Sequence, residues 1–310
     1  MTDLYDVVVI GGGPAGLSAA LTLARARRSV LVLDTGQARN ERAAGVHDFL
    51  TRDGCAPAEL ISVGRAEVTR YGGQVAERQV VSARREGSAF AVSVDGGDTI
   101  RARKLLVASG LVDELPDIKG LATLWGTDVL YCPYCHGWEF SDQHIGVLVT
   151  SAESVHQALM FRQWSPQITL FLNGTTDPSG SERRQLDARQ ITVVTPVVTE
   201  VSSRNGRLDA VVLADGDRVE LAALALLPRM VARSEILAGL GLRRVAHPSG
   251  LGENLQTDGG GRTSVPGVYA AGNVADISAH VVNSASSGLL AAMAVNADLV
   301  EEDTERAVLG

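Results

Sequence analysis

The chain combines 310 residues with a formal net charge of −8, 45% hydrophobic residues and 33 glycines, a composition that indicates an α/β protein with more than one compact core. The acidic balance argues against nucleic acid or an anionic membrane as a partner, because either would require a basic surface. No export signal precedes the first predicted strand, and the longest apolar run, residues 221–227, is too short to span a bilayer. We therefore expect a cytoplasmic protein.

Residues 5–34 predict a strand, a tight turn, a helix and a second strand. The turn places Gly11, Gly13 and Gly16 in the spacing G-x-G-x-x-G, and the second strand ends at Asp34. Glycines let the backbone approach a pyrophosphate, the helix N-terminus stabilises its negative charge, and the carboxylate accepts hydrogen bonds from a ribose. This unit is therefore predicted to bind a dinucleotide.

Further strands follow this unit. The alternating stretches 73–81 and 89–94 predict antiparallel strands, and residues 104–110 predict a buried strand that ends in small residues. The pattern then breaks at Pro116, which marks a domain crossing.

A second strand-helix-strand pattern begins at residue 144, with its helix near 154–164 and its second strand at 168–172. Two such patterns in one chain predict two nucleotide-binding-like domains, or one functional domain and one vestigial domain. A helix rich in small residues is predicted at 287–300.

Two of the three cysteines form the motif Cys132-Pro133-Tyr134-Cys135, which His136 follows. Thiols at this spacing can close a disulfide, and Pro133 suits the first turn of a helix that lowers the pKa of the first thiol. The letters also match C-x-x-C-H, the attachment motif of c-type haem, but that chemistry belongs to exported proteins. A zinc site needs two further ligands, and the chain has no second C-x-x-C or clustered histidine pair to supply them. A glutaredoxin-type motif follows the first strand of a small domain, whereas this motif lies beyond residue 130. We therefore favour a redox pair and expect no resident metal.

The C-terminal stretch 261–273 resembles the second FAD signature of two-dinucleotide-binding flavoproteins, in which an aspartate hydrogen-bonds the flavin ribityl chain. Asn273 replaces that aspartate, and its amide can still bond a hydroxyl. The glycine-rich start, the strand at 106–110, the C-x-x-C motif and this signature occur in the family's order. Together they resemble low-molecular-weight thioredoxin reductases, and more closely the dithiol-oxidase branch that closes disulfides in epidithiol metabolites such as gliotoxin and holomycin.

The resemblance implies an α/β fold class, a three-layer, Rossmann-like flavoprotein with two dinucleotide-binding domains. It implies an FAD domain in two segments, 1–115 and 245–310, with the NADPH-type domain 116–244 between them, and a homodimer. It also implies the residues that bind FAD: Gly11, Gly13, Pro14, Ala15, Gly16, Asp34, Thr35, Ala108, Ser109, Gly110, Gly272, Asn273 and Val281.

Two histidines are candidates for the redox chemistry beside Cys132 and Cys135. His136 takes the place of an aspartate that serves as the acid-base group in thioredoxin reductases, and an imidazole with an ordinary pKa of about 6.5 accepts a thiol proton near neutral pH. His280 lies where the family begins a helix against the flavin, and a hydrogen-bond donor there stabilises reduced flavin. Whether His280 acts through its side chain or its backbone is left open.

The second strand-helix-strand pattern lacks the glycines of a dinucleotide site. Val149, Thr150 and Ser151 stand where the family has its glycine run, and residues 172–177 lack the family's basic cluster for a 2′-phosphate. Arg183 and its neighbour come later and are predicted to lie on an exposed helix face. We therefore expect that ordinary NADPH binding is lost.

This loss favours an FAD-dependent dithiol oxidase, in which electrons enter from a small-molecule or protein dithiol and leave through FAD to oxygen, giving hydrogen peroxide. Two alternatives remain: a thioredoxin-disulfide reductase fed by NADPH, ferredoxin or another donor, and a flavin-based redox sensor. The substrate stays open. Tyr131, Tyr134 and Trp138 are compatible with an aromatic entrance for a small cyclic dithiol and equally with core packing.

Overall fold

The computed structural model describes residues 4–310, which divide by internal packing into two compact units. Unit 1 comprises the chain up to residue 39 together with 56–112 and 230–310, and unit 2 comprises 40–55 and 113–229. The sequence suggested divisions at 115/116 and 244/245. In the structure, the strand at 229–232 pairs with the strand at 252–255, and residues from 230 onward therefore pack with unit 1.

Unit 1 is built on a seven-stranded sheet. Its strands, numbered along the chain, are β1 (Tyr5–Ile10), β2 (Val30–Asp34), β3 (Gln74–Glu77), β4 (Val80–Glu86), β5 (Ala89–Val94), β6 (Thr99–Val107) and β19 (Val268–Ala270). The order is β3-β2-β1-β6-β5-β4, and β19 pairs with β6. Strands β3, β2, β1, β6 and β19 are parallel, whereas β4 and β5 form an antiparallel extension.

The central strands of unit 1 are buried on both faces, which explains their continuous apolar runs. Along β1, Val7 and Val9 face a core formed with α1 (Pro14–Arg25) and α7 (Val281–Leu309), while Val8 and Ile10 face a second core with β4, β5 and a short 3-10 helix at Glu235–Leu240. Helix α2 (Pro57–Arg70) packs beside α1. The predicted strand-turn-helix-strand at 5–34 is confirmed.

Two sequence predictions need correction in unit 1. The stretch 73–81, expected as one antiparallel strand, is divided at Arg78: β3 is parallel to β2, and β4 starts at Val80. Arg78, which lies between the two strands, forms ion pairs with Asp95 and Asp98 at 2.8 and 3.0 Å. The C-terminal helix α7 extends beyond the predicted 287–300 at both ends.

Unit 2 contains a parallel sheet with the order β11-β10-β9-β15-β8. Its strands are β8 (Val129–Leu130), β9 (Ile145–Leu148), β10 (Ile168–Phe171), β11 (Thr192–Val194) and β15 (Ala223–Leu226). Helices α5 (Ser154–Phe161) and α6 (Gly180–Ala188) cover one face. The antiparallel strands β12 (Val198–Arg204), β13 (Arg207–Leu213) and β14 (Arg218–Glu220), with the short helix α3 (Leu121–Leu124), cover the other.

A four-stranded sheet contains the segments where the chain passes between the units. It consists of β7 (Leu111–Glu114), β16 (Arg229–Ala232), β17 (Arg244–Ala246) and β18 (Gly252–Leu255), in the order β17-β18-β16-β7. The predicted α/β class with two Rossmann-like units is confirmed. Between residues 4 and 310, none of the helices has the length and apolar character needed to cross a membrane.

Candidate active site and dinucleotide site

The residues predicted to hold a dinucleotide in unit 1 follow the ends of β1, β2, β6 and β19. These strands are neighbours and parallel, and their carboxyl ends therefore meet at one edge of the sheet. The residues at this edge are Gly11, Gly13, Pro14, Ala15, Gly16, Asp34, Thr35, Ala108, Ser109, Gly110, Gly272 and Asn273, and Val281 begins α7.

The turn after β1 approaches its neighbours too closely for side chains at some positions and leaves open space at another. Gly11 has a φ of +109°, and a Cβ there would overlap the carbonyl oxygen of Ala108. A Cβ on Gly13 would meet no protein atom within 4 Å. No side chain caps the N-terminus of α1. The turn therefore presents backbone N–H groups to an open space, which is what a pyrophosphate requires.

Asp34, predicted to contact a ribose, has a partner that the sequence did not reveal. The Nη2 atom of Arg65, on α2, lies 2.5 Å from its Oδ2 atom. The buried Nε atom of Arg65 has no acceptor among residues 4–310, which fits an acceptor supplied by a bound molecule. No local pattern links the two residues, because 30 positions separate them in the chain.

The hydrogen bonds of Asn273 explain why an amide stands where the family has an aspartate. Its Nδ2 atom donates to the carbonyl oxygens of Asp276, Ile277 and Ala279 at 3.2, 3.4 and 2.8 Å. A carboxylate has no hydrogen to donate to these carbonyls. The amide thus holds the turn that leads to His280, which is half-buried and forms the N-cap of α7.

In unit 2, the cysteine pair directly follows the carboxyl end of β8. Cys132 and Cys135 form a disulfide with a Cα–Cα distance of 5.3 Å. Cys132 is the N-cap of α4 (Pro133–His136), with Pro133 in the first turn, and its Sγ atom accepts the N–H of Cys135 at 3.2 Å. The prediction that the motif begins a helix is confirmed, and this N–H stabilises negative charge on the first sulfur.

Aromatic residues precede, separate and follow the two cysteines along the chain. Tyr134 and Trp138 are 58% and 79% exposed, and core packing therefore does not account for them. Trp164 lies beneath the motif: its ring meets Tyr134 edge-on at a centroid distance of 5.5 Å, and a Cβ on Gly137 would come within 2.8 Å of the Trp164 ring. Tyr131 is half-buried.

His136 is half-buried in unit 2. Both ring nitrogens are buried and have no hydrogen-bond partner in the described part of the chain. Burial lowers the pKa of His136 below its ordinary value, the charge of Glu139 raises it, and His47 lowers it further. The lowered pKa keeps the imidazole neutral, and a neutral imidazole can accept a proton.

His47 and Glu139 are functional candidates that the sequence did not single out. The His47 Nε2 atom lies 3.4 Å from Glu139 Oε1, and its Nδ1 atom lies 3.3 Å from Asp53 Oδ1. His47 belongs to a segment that lies between two elements of unit 1 in the chain, and no sequence pattern shows that this segment packs with unit 2.

The turn after β9, at the position of a second dinucleotide site, is closed by its own side chains. The buried Ser154 Oγ atom accepts the N–H groups of Thr150 and Ser151 at 3.1 and 3.2 Å. The Thr150 hydroxyl donates to the carbonyl of Leu227 at 2.7 Å and accepts its N–H at 3.2 Å. The backbone donors that a pyrophosphate would need are therefore already paired.

In the segment after β10, where the family has its basic cluster, a side chain likewise pairs with the backbone. The Asn173 Oδ1 atom accepts the N–H of Val198 at 3.0 Å. Arg183 and Arg184 lie on the exposed side of α6, as the sequence predicts, and Arg183 pairs with Asp187 at 3.4 Å.

Comparisons with known proteins cover nearly the whole chain. The model of the family described as pyridine nucleotide-disulphide oxidoreductase matches residues 5–288. The chain is 31% identical to thioredoxin reductase tcpT of Claviceps purpurea, over 97% of this chain and 96% of that protein. It is 32% identical to thioredoxin reductase sirT of Leptosphaeria maculans, over 95% and 94%. The crystal structure of HlmI matches with a TM-score of 0.92 at 46% identity, covering 98% of this chain and 95% of that chain.

Proposed function

Because this chain belongs to the pyridine nucleotide-disulphide oxidoreductase family, we propose that it is an FAD-dependent dithiol oxidase that makes disulfides. The predicted thioredoxin-reductase-like flavoprotein is confirmed: the protein is an oxidoreductase that acts on sulfur groups, and its cofactor is FAD. The proposal concerns the direction of electron flow, the acceptor and the residues that carry the reaction.

The observation that carries the direction is the closed turn at 149–154. A nicotinamide dinucleotide needs free backbone N–H groups and glycine spacing at this position, whereas Ser154 pairs the N–H groups of Thr150 and Ser151. Electrons then enter from a dithiol and not from NADPH. Oxygen is the proposed acceptor, and a dithiol and oxygen give a disulfide and hydrogen peroxide.

The chain's own residues perform the thiol chemistry. His136 accepts the proton of one substrate thiol, and the thiolate attacks the Cys132–Cys135 disulfide to give a mixed disulfide. The second substrate thiol attacks that mixed disulfide, which releases the oxidised substrate and leaves Cys132 and Cys135 reduced. Following the family resemblance, we assign the interchange role to Cys132 and the flavin-facing role to Cys135. FAD, when bound, takes the two electrons of the reduced pair and delivers them to oxygen.

We assign the FAD site to the edge of unit 1 described above. The open space beyond Gly13 and the uncapped N-terminus of α1 suit the pyrophosphate, and Asp34 with Arg65 suits the adenosine ribose. Asn273 holds the turn before His280, whose contribution to flavin reactivity is proposed only by resemblance. A homodimer and a cytoplasmic location also stay predictions.

The exposed aromatic rings favour a small apolar dithiol as substrate. Tyr134 follows the first cysteine by two positions, and Trp138 follows the second by three; both present most of their surface to solvent. Aromatic faces bind flat, apolar ligands with little loss of side-chain entropy. Replacing Trp138 by alanine should raise KM for an aromatic dithiol and leave KM for dithiothreitol nearly unchanged.

The decisive experiment mixes the oxidised holoenzyme anaerobically with NADPH or with a dithiol and follows flavin absorbance. The dithiol should bleach the flavin rapidly, NADPH should not, and air should restore the colour with release of one hydrogen peroxide per dithiol. Rapid bleaching by NADPH would contradict the proposal. The variant Cys132→Ser, Cys135→Ser should retain FAD and lose dithiol-dependent bleaching.

A second candidate, thioredoxin-disulfide reductase, is favoured by the names of the relatives tcpT and sirT. It requires a donor other than a dithiol. Reduction of the flavin by ferredoxin or a second flavoprotein, followed by reduction of thioredoxin, would establish it. Steady turnover of a small dithiol with peroxide release would exclude a function limited to redox sensing.

A further inference from the structure

Backbone hydrogen bonds join the two ends of a loop within segment 40–55, which packs with unit 2 and contains His47. The Val46 N–H donates to the Cys55 carbonyl at 2.8 Å, and the Gly54 N–H donates to the Val46 carbonyl at 2.8 Å. His47 follows Val46 directly and is therefore held by this bridge. Gly45 leaves room for the ring, because a Cβ there would come within 3.1 Å of the His47 Nε2 atom.

His47 lies between two carboxylates. Its two ring nitrogens face Glu139 and Asp53 at 3.4 and 3.3 Å, and its side chain is 25% exposed. Glu139 lies one turn beyond His136 in the chain, in the 3-10 helix Trp138–Phe140. The residue that His47 contacts therefore lies in the turn next to His136, whose own ring nitrogens have no partner within residues 4–310.

We propose that His47 and Glu139 are positioning residues for the dithiol chemistry, acting as an electrostatic couple that governs the charge of His136 while a substrate thiol attacks. The inference rests on the proposed function for the step that it serves. That step balances: the proton of the substrate thiol passes to His136, the Cys132–Cys135 bond breaks as the mixed disulfide forms, and His136 returns the proton to the departing cysteine thiolate.

The two partners act on His136 in opposite directions. The negative charge of Glu139 stabilises an imidazolium and raises the pKa of His136, whereas a protonated His47 repels it and lowers that pKa. Asp53 acts on His47, and the two cysteines are uncharged as a disulfide before the attack. Because Glu139 and His47 contact each other, their effects offset, and removing either one leaves the other uncompensated.

The test is a titration of His136 by NMR in the oxidised holoenzyme with isotope-labelled histidine, in which no substrate is present. The variant His47→Gln should move the His136 midpoint to higher pH, and Glu139→Gln should move it to lower pH. The double variant should lie between them. The exposed residues His156 and Glu153 supply matched controls, since His156→Gln and Glu153→Gln change the same charges on the exposed start of α5.

The same displacements should appear in the pH dependence of anaerobic flavin reduction by a dithiol. Neutral His136 is the active form, and a raised midpoint therefore slows attack on the acid side, while a lowered midpoint speeds it. High salt should shrink both displacements. Unchanged midpoints in both variants, or displacement in the same direction, would overturn the inference. If Gln at position 47 prevents folding, Asp53→Asn, which removes the outer partner of His47, provides the second variant.

This design separates the inference from the proposed function. Opposite NMR displacements without any dithiol oxidation would support the couple and refute the oxidase. Dithiol oxidation with unmoved His136 midpoints would support the oxidase and refute the couple.

Discussion

The turn after β1 in unit 1 and the turn after β9 in unit 2 occupy equivalent positions in their strand-helix-strand patterns, but one is open and the other is filled by side chains. In unit 1, Gly11 and Gly13 leave an open space in front of an uncapped helix. In unit 2, the hydroxyls of Thr150 and Ser154 fill that position and pair the backbone donors. The strands β1 and β9 behind these turns are both buried and pair with their neighbours in parallel.

The difference lies in a few residues at the turn and not in the sheet. A glycine turn keeps its N–H groups for a ligand, whereas a hydroxyl three or four residues ahead supplies an internal acceptor. Unit 2 thus has a Rossmann-like sheet and a turn whose backbone donors are paired by a side chain.

The largest effect is expected from breaking the open turn. Gly11→Ala should abolish FAD binding and reduce the yield of folded protein, because its φ is +109° and a Cβ would overlap the Ala108 carbonyl. Gly13→Ala should fold, since its Cβ would meet no protein atom within 4 Å, yet bind FAD poorly. Flavin absorbance per polypeptide, which measures bound FAD, and circular dichroism, which measures folding, distinguish the two variants. A yellow Gly11→Ala protein with normal stability would contradict the argument.

A smaller loss is expected when the family's own residue is restored at the open edge. Asn273→Asp removes the two amide hydrogens that three backbone carbonyls share, and it places a negative charge against those carbonyls. At about 1 kcal/mol per bond, FAD affinity should fall by at least about tenfold. Fluorescence of released FAD measures the dissociation constant. The control is Asn205→Asp, which makes the same substitution in an exposed turn.

Removing the serine that closes the turn after β9 should lower the free energy of unfolding, and it should not restore reduction of the flavin by NADPH. Ser154→Ala leaves the N–H groups of Thr150 and Ser151 without their acceptor, which should destabilise the protein by about 1–3 kcal/mol. NADPH should still fail to bleach the flavin, since Thr150 remains bonded to Leu227. Chemical denaturation measures the first effect, with the exposed Ser203→Ala as control. NADPH-dependent bleaching in Ser154→Ala would show that this serine alone excludes the nucleotide.

The smallest effect concerns the Asp34–Arg65 pair. Arg65→Lys keeps the charge but loses the planar guanidinium, whose Nη2 atom contacts Asp34 and whose Nε atom has no acceptor among residues 4–310. FAD affinity should fall by about a few-fold, within roughly 1 kcal/mol. An exposed arginine on the same helix, Arg70→Lys, is the control, and equal dissociation constants for both variants would exclude a role for Arg65.

Most of the fold followed from patterns in the sequence because strands buried on both faces give continuous apolar runs and glycine turns mark the strand ends. The first strand-helix-strand unit, the second one near 144–172 and the helix at the cysteine motif are all present. The break at Arg78 was missed because residues 74–77 pair with β2 and residues 80–86 pair with β5, and the local pattern does not show that the two halves have different partners.

Parts of the site could not be predicted for the same reason. The cysteines and His136 are contiguous and therefore visible in the sequence, whereas Arg65 and His47 reach their partners only through the tertiary fold. The missing glycines of unit 2 were visible. Their replacement by a hydrogen-bonded closure was not, because the Thr150 hydroxyl bonds Leu227, which lies 77 positions later in the chain.

The passage of segment 40–55 into unit 2 limits how the protein can be taken apart. A fragment cut at the two obvious linkers, residues 113–229, would carry the disulfide and His136 but leave His47 behind. Exchanging that fragment between two relatives would therefore transfer the cysteines into a foreign electrostatic setting. Unit 2 is one compact body, although two separate segments of the chain form it. Chimaeras that exchange only residues 113–229 should therefore show an altered pH dependence.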